Sequence, residues 1–93
     1  MNIQIDPHTI ERAAQRGASE DEIHDVIQTG FIIPAKYGRM AKAKVYSYEQ
    51  TRHGKQYEQK RIEVVYTNES DTIVTVTVYV FYGKWERGDA DPI

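Results

Sequence analysis

The run "TIVTVTVYVFYGKW", residues 72–85, carries β-branched and aromatic residues in near-unbroken alternation. A period of two reads as a strand, because a helix would scatter these side chains around its axis. Val74, Val76, Val78 and Val80 then share one face, and Ile73, Thr75, Thr77, Tyr79 and Phe81 the other. The all-valine face is predicted to be the core side, under helices. The hydroxyl and aromatic face is left open for binding, or is covered by residues 31–42 or by a second subunit. Two further strand signals precede this one, "AKVYSYEQ" (43–50) and "YEQKRIEVVYT" (57–67). The short turns "RHGK" and "NESD" between them imply antiparallel pairing.

The first third of the chain reads as two short helices after "NIQI" (2–5), a short strand or an extended lead-in. Asp6 is a good N-cap, Pro7 suits the first helical position, and Gly17 ends the helix. Ile10, Ala13 and Ala14 cluster on the side expected to dock. His8, Arg12 and Arg16 fall within about 80° of one another on another side, at 100° per residue. Ser19 and Glu22 form a capping box for the second helix, with Ile23, Val26 and Ile27 as its buried stripe and Gly30 as its stop. The very short turn between the helices predicts a helical hairpin. Residues 31–42, broken by Pro34 and Gly38, read as a connection that begins at most with a few extended residues.

These signals predict an α+β fold: an N-terminal helical hairpin packed on one face of an antiparallel sheet of three to four strands. Ninety-three residues hold one core, so a single domain is expected over 1–86, with a flexible acidic tail over 87–93. The chain has no cysteine, hence no disulfide framework and no thiolate zinc site. Its three histidines lack metal-ligand spacing, and no glycine-rich phosphate loop is present. No metal and no cofactor are therefore expected. No apolar run approaches the ~20 residues of a membrane span, and the N-terminus has no signal-peptide pattern, so a cytoplasmic protein without a membrane partner is expected.

The net charge of −2 hides an asymmetry. Residues 36–61 contain Lys36, Arg39, Lys42, Lys44, Arg52, Lys55, Lys60 and Arg61 against Glu49 and Glu58, a local charge of +6, and the rest of the chain carries −8. Such a segment is either a polyanion-binding surface or a set of lysines that keeps strand edges soluble. Lys44, Lys60 and Arg61 interleave with Tyr46, Thr77, Tyr79 and Tyr82 on the strands. Cations that hold phosphates beside rings that stack on bases suit single-stranded RNA. Cross-strand pairing of the same residues is the structural alternative. On the first helix, His8 sits at the positive dipole end, which favours a neutral ring, and Arg12 and Arg16 are placed to pair with phosphate. A solvated helix face is the alternative there.

The order of these parts carries a resemblance. His-x-x-x-Arg on a first helix is followed by "RGASEDEI" opening a second, and then by a Lys-, Arg- and Tyr-bearing sheet that ends in "IVTVTVYV". Over about residues 3–85 this resembles a small bacterial domain of unknown function placed with the RelE-like and BrnT-like toxins, whose fold is that of the barnase–EndoU–colicin–RelE ribonucleases. The stretch "HTIERAAQRGASEDEI" is its most specific part. The resemblance implies metal-independent RNA cleavage by a toxin with a cognate antitoxin as partner. The ribose 2′-OH would attack the adjacent phosphate to leave a 2′,3′-cyclic phosphate. His8 would act as base or acid, and Arg12, Arg16 and Lys44 or Lys60 would hold the phosphate. Tyr79 or Tyr82 would stack or donate a proton, and Thr77 would orient the substrate. Lys36, Arg39, Tyr46 and Arg61 complete the expected RNA surface. The competing readings are a non-catalytic RelE-like module that binds RNA or a protein, and a homodimer joined through an exposed strand edge.

Overall fold

The computed structural model describes residues 2–85; the acidic tail expected at 87–93 lies outside them. The elements run β1 (Asn2–Gln4), α1 (Pro7–Arg16), α2 (Glu20–Thr29), β2 (Phe31–Ile33), β3 (Met40–Arg52), β4 (Lys55–Glu69) and β5 (Thr72–Gly83). They form one five-stranded sheet in the order β1-β5-β4-β3-β2. The β2–β3, β3–β4 and β4–β5 pairs are antiparallel, whereas β1 runs parallel to β5.

This corrects the expected sheet of three to four antiparallel strands: the sheet is larger and mixed. The two additional strands are three-residue edges, too short for a period-two pattern to register. Pairing is what makes them strands, Asn2–Gln4 with Thr72–Val74 and Phe31–Ile33 with Ala41–Ala43. The expected N-terminal helical hairpin is corrected as well. A strand precedes the helices, and they pack separately, α1 along β5 and α2 over β3 and β4.

The helix ends follow local chemistry. The Asp6 side chain accepts from the His8 N–H, and Pro7 opens α1. Gly17 closes α1 at φ 95°, a left-handed conformation that costs glycine little. Ser19 and Glu22 make the reciprocal capping box of α2. One core joins both helices to the sheet, built on Ala13, Ala18, Ile23, Val26 and Ile27 above and Ile62, Val64, Tyr66, Ile73 and Val78 below.

Two face assignments come out differently from the sequence pattern. In α1 the docked residues are Thr9 and Ala13, while Ile10 and Ala14 are exposed. The reason is a buried polar contact: the Thr75 hydroxyl donates to Thr9 Oγ1 at 3.1 Å and accepts from the Asp6 N–H at 3.0 Å. In β5 the alternation is interrupted, because Val65 of β4 pairs with Thr77 and Tyr66 with Thr75, leaving Val76 as an extra residue. This bulge inverts the parity of the strand. Ile73 and Thr75 face the helices before it and Val78 and Val80 after it, so the valines do not share one face.

Candidate nucleic-acid interface

The bulge leaves the two halves of β5 with different partners on each face. The helix-covered face takes up several side chains expected to meet RNA. Lys44 Nζ lies 2.7 Å from Asp25 Oδ2 and 2.8 Å from Thr29 Oγ1. The Tyr46 hydroxyl donates to the same Asp25 oxygen at 2.6 Å. Lys60, buried, reaches Glu22 at 2.9 Å and the Gly17 carbonyl oxygen at 2.9 Å. The register explains the grouping, since Lys44 pairs with Ile62 and Tyr46 with Lys60 on the surface under α2. Acidic residues of α2 take over these cations, and with them the alkyl stems that line the core.

Asp25 is the hub of this arrangement. The hydrogen bond from Lys44, and next that from Tyr46, hold its carboxyl at about 2, below the ordinary 3.8. Burial, reinforced by the Asp25 carboxylate, pushes the Tyr46 phenol well up. A carboxyl whose pKa is depressed by folding adds stability that is complete above its unfolded value and lost as pH falls through the folded one. Stability should therefore decline between about pH 4 and pH 2, the window of the Asp25 shift. Urea titrations should show Asp25→Asn with a shallower decline over that window, and an unchanged decline would exclude Asp25 as a source.

Tyr82 also belongs to the helix side. Its hydroxyl donates to the Arg16 carbonyl oxygen at 2.6 Å, and its ring stacks at a tilt on Tyr48 and Tyr57 with the Arg52 guanidinium 4.8 Å from the centroid. Burial raises its phenol pKa. It anchors the end of α1.

Among the described residues, no helix covers the opposite face of the sheet. Tyr79 and Phe81 stand on it, 43% and 47% exposed, with ring centroids 6.4 Å apart and planes 25° from parallel. Beside them is a cavity of about 260 Å³ lined by residues that include Lys36, Tyr37, Arg39, Glu63, Thr77 and Tyr79. The connection between β2 and β3 supplies three of these. The Arg39 N–H bonds the Lys36 carbonyl, and Tyr37 and Gly38 both have left-handed φ, 60° and 70°. That is the backbone of a tight primed turn, and it leaves Tyr37 88% exposed at the cavity rim. Arg61 lies on the same face, its Nε 3.0 Å from Glu63 Oε2 and its guanidinium 5.3 Å from the Phe31 ring centroid.

Arg16 connects α1 to this face. β1 pairs with β5 only as far as Val74, so among the described residues the outer edge of β5 has no strand partner beyond it. Arg16 reaches that edge, donates to the Val78 carbonyl at 2.5 Å and places its guanidinium 5.4 Å from the Tyr79 ring centroid. Arg12 and His8 lie one and two turns back, with Arg12 Nε 3.3 Å from His8 Nε2 on the exposed side of the helix.

The structure thus brings together Arg16, Lys36, Arg39, Thr77 and Tyr79, with Arg61 on the same face. It sets His8 and Arg12 at the margin and places Lys44, Tyr46, Lys60 and Tyr82 on the other side of the sheet. Sequence reasoning passed over Tyr37 and Glu63. Tyr37 was visible in the "KYGR" turn signal; Glu63 had no local signal.

A family described as a domain of unknown function, DUF4258, matches residues 5–80. The chain belongs to that family. No curated protein matches it, and no solved structure does. The match to DUF4258 begins just before the Asp6 cap of α1 and ends in β5 beyond Tyr79. Among the described residues of this DUF4258 domain no cluster of His, Cys, Asp and Glu could hold a metal ion, and no helix is long and apolar enough to cross a membrane.

Proposed function

We propose that this domain binds single-stranded RNA on the open face of its sheet. The observation that carries the reading is the exposed Tyr79–Phe81 stack with the Arg16 guanidinium against Tyr79. Neighbouring rings left in water have no reason in the packing of this chain, whereas bases stack on such rings at about 1–3 kcal/mol each. Arg16, Lys36 and Arg39 surround the stack and its cavity and are placed to take phosphates on either side of a stacked base.

RNA cleavage is the second reading, and the His8–Arg12 pair favours it. A titratable ring beside a guanidinium can remove a 2′-OH proton and offset charge on a phosphorane. This keeps alive the likeness to RelE- and BrnT-type toxins, with an antitoxin as partner. Lys44 has no part in it, since Asp25 and Thr29 hold its ammonium on the far side of the sheet. Binding without turnover is thus the reading the geometry favours.

Fluorescence anisotropy with a labelled single-stranded RNA tests the proposal. Affinity should fall with salt at a log–log slope of about −2, for three phosphate contacts on a single strand. No binding at micromolar protein, or binding indifferent to salt, would overturn it. Incubating RNA with the wild type beside His8→Ala decides the second reading. Cleavage that disappears in the variant supports it, and intact RNA rejects it.

A further inference from the structure

Among the described residues that line the open-face cavity, Glu63 is the one acid. A carboxylate is a poor choice for a surface that meets phosphates, because it repels them. Arg61 offsets the charge and pins one oxygen, Oε2, at 3.0 Å. Among the described residues Oε1 accepts no hydrogen bond. The Glu63 side chain is only 22% exposed. Glu63 pairs with Ala43 on β3 and Tyr79 on β5, and the small Ala41 side chain lines the cavity with it.

An ionised carboxylate offers acceptors only, so it selects a group with donors. Guanine alone among the RNA bases presents two adjacent donors, N1–H and the N2 amino group, on its Watson–Crick edge, spaced to meet two carboxylate oxygens. Adenine and cytosine place an acceptor nitrogen beside their amino group, and uracil sets one N–H between two carbonyls. A cavity of about 260 Å³ lies just below the range for drug-sized ligands and suits a single base.

We infer that this cavity is a guanine-selective pocket, in which Glu63 reads the Watson–Crick edge and Tyr79 forms the stacking wall. The inference rests on the RNA-binding reading and adds the base it prefers. Lys36 and Arg39 at the rim hold the flanking phosphates, and the Arg61 contact at 3.0 Å holds Glu63 in its orientation.

The test compares a labelled oligouridylate with the same oligomer carrying one central guanine, adenine or cytosine. The wild type should bind the guanine oligomer about tenfold more tightly than the adenine one, the discrimination of a good bidentate contact. Glu63→Gln, close in size and neutral, should bring guanine down to the level of the other bases, read as the ratio of affinities among the four oligomers on one preparation. Circular dichroism and a denaturation curve confirm that the variant is folded, and Glu63→Asp provides a second, shorter carboxylate that should retain part of the preference. Equal affinity of the wild type for all four oligomers overturns the guanine inference and leaves RNA binding standing. A guanine preference that persists undiminished in Glu63→Gln overturns the role of Glu63. If none of the oligomers binds, the RNA reading itself falls, and the inference with it.

Discussion

Replacing Tyr79 and Phe81 together by alanine should weaken single-stranded RNA binding about a hundredfold, since each lost stack is worth about 1–3 kcal/mol. Both rings project from the uncovered face and are about half exposed, so the loss of fold stability should stay near 1 kcal/mol per site, the strand-propensity scale. The informative contrast is Lys44→Ala. On the sequence alone Lys44 is as good a phosphate ligand as any. In the structure its ammonium is occupied by Asp25 and Thr29 under α2. Lys44→Ala should therefore lower stability and leave RNA affinity within about twofold, the usual additivity error for sites without shared partners. Anisotropy and urea denaturation on the same preparations separate the two effects. If Lys44→Ala cost as much binding as the double aromatic variant, the interface would have to lie on the opposite face of the sheet.

The largest stability loss is expected at Gly30. Its φ of −73° and ψ of 169° suit any residue, so the need for glycine there is steric. A Cβ at this position would overlap the Val26 carbonyl oxygen and come within 2.7 Å of the Ala43 carbonyl oxygen. Both are backbone atoms of packed elements and cannot swing aside. The close approach also lets Lys42 on β3 donate to the Ile27 carbonyl at 2.8 Å, satisfying the last turn of α2. Gly30→Ala should cost about 3 kcal/mol or more, at the upper end for overpacking. Gly38→Ala is the control, because its Cβ would meet nothing within 4 Å and only its left-handed φ is penalised, by about 1 kcal/mol. Similar losses for the two in urea denaturation would refute the tight seating of α2 on β3.

Several features were legible from short windows. The Asp6–Pro7 start, the Gly17 stop and the Ser19–Glu22 box are decided by chemistry within four residues, and the structure has them. The long strands stand close to their expected places, with the turn between β3 and β4 at His53–Gly54 and that between β4 and β5 at Ser70–Asp71. The open, aromatic side of the sheet was also foreseeable for Tyr79 and Phe81, though not for the whole of β5.

The rest depended on contacts between distant segments. β1 and β2 exist because other strands offer them hydrogen bonds, and three residues carry no periodic signature of their own. The Val76 bulge arises from the β4 register and decides which β5 residues face the helices. The basic segment is divided in the same way. Lys44 and Lys60 sit in the strand pattern as free cations would, yet α2 brings Asp25 and Glu22 over them and leaves Arg16, Lys36, Arg39 and Arg61 near or on the other face. By itself the sequence determined where helices start and stop and where the three long strands run, because those choices are local. Which cations remain available to a ligand, and that Glu63 stands beside Tyr79, were decided by tertiary structure, because both depend on the pairing of strands far apart in the chain.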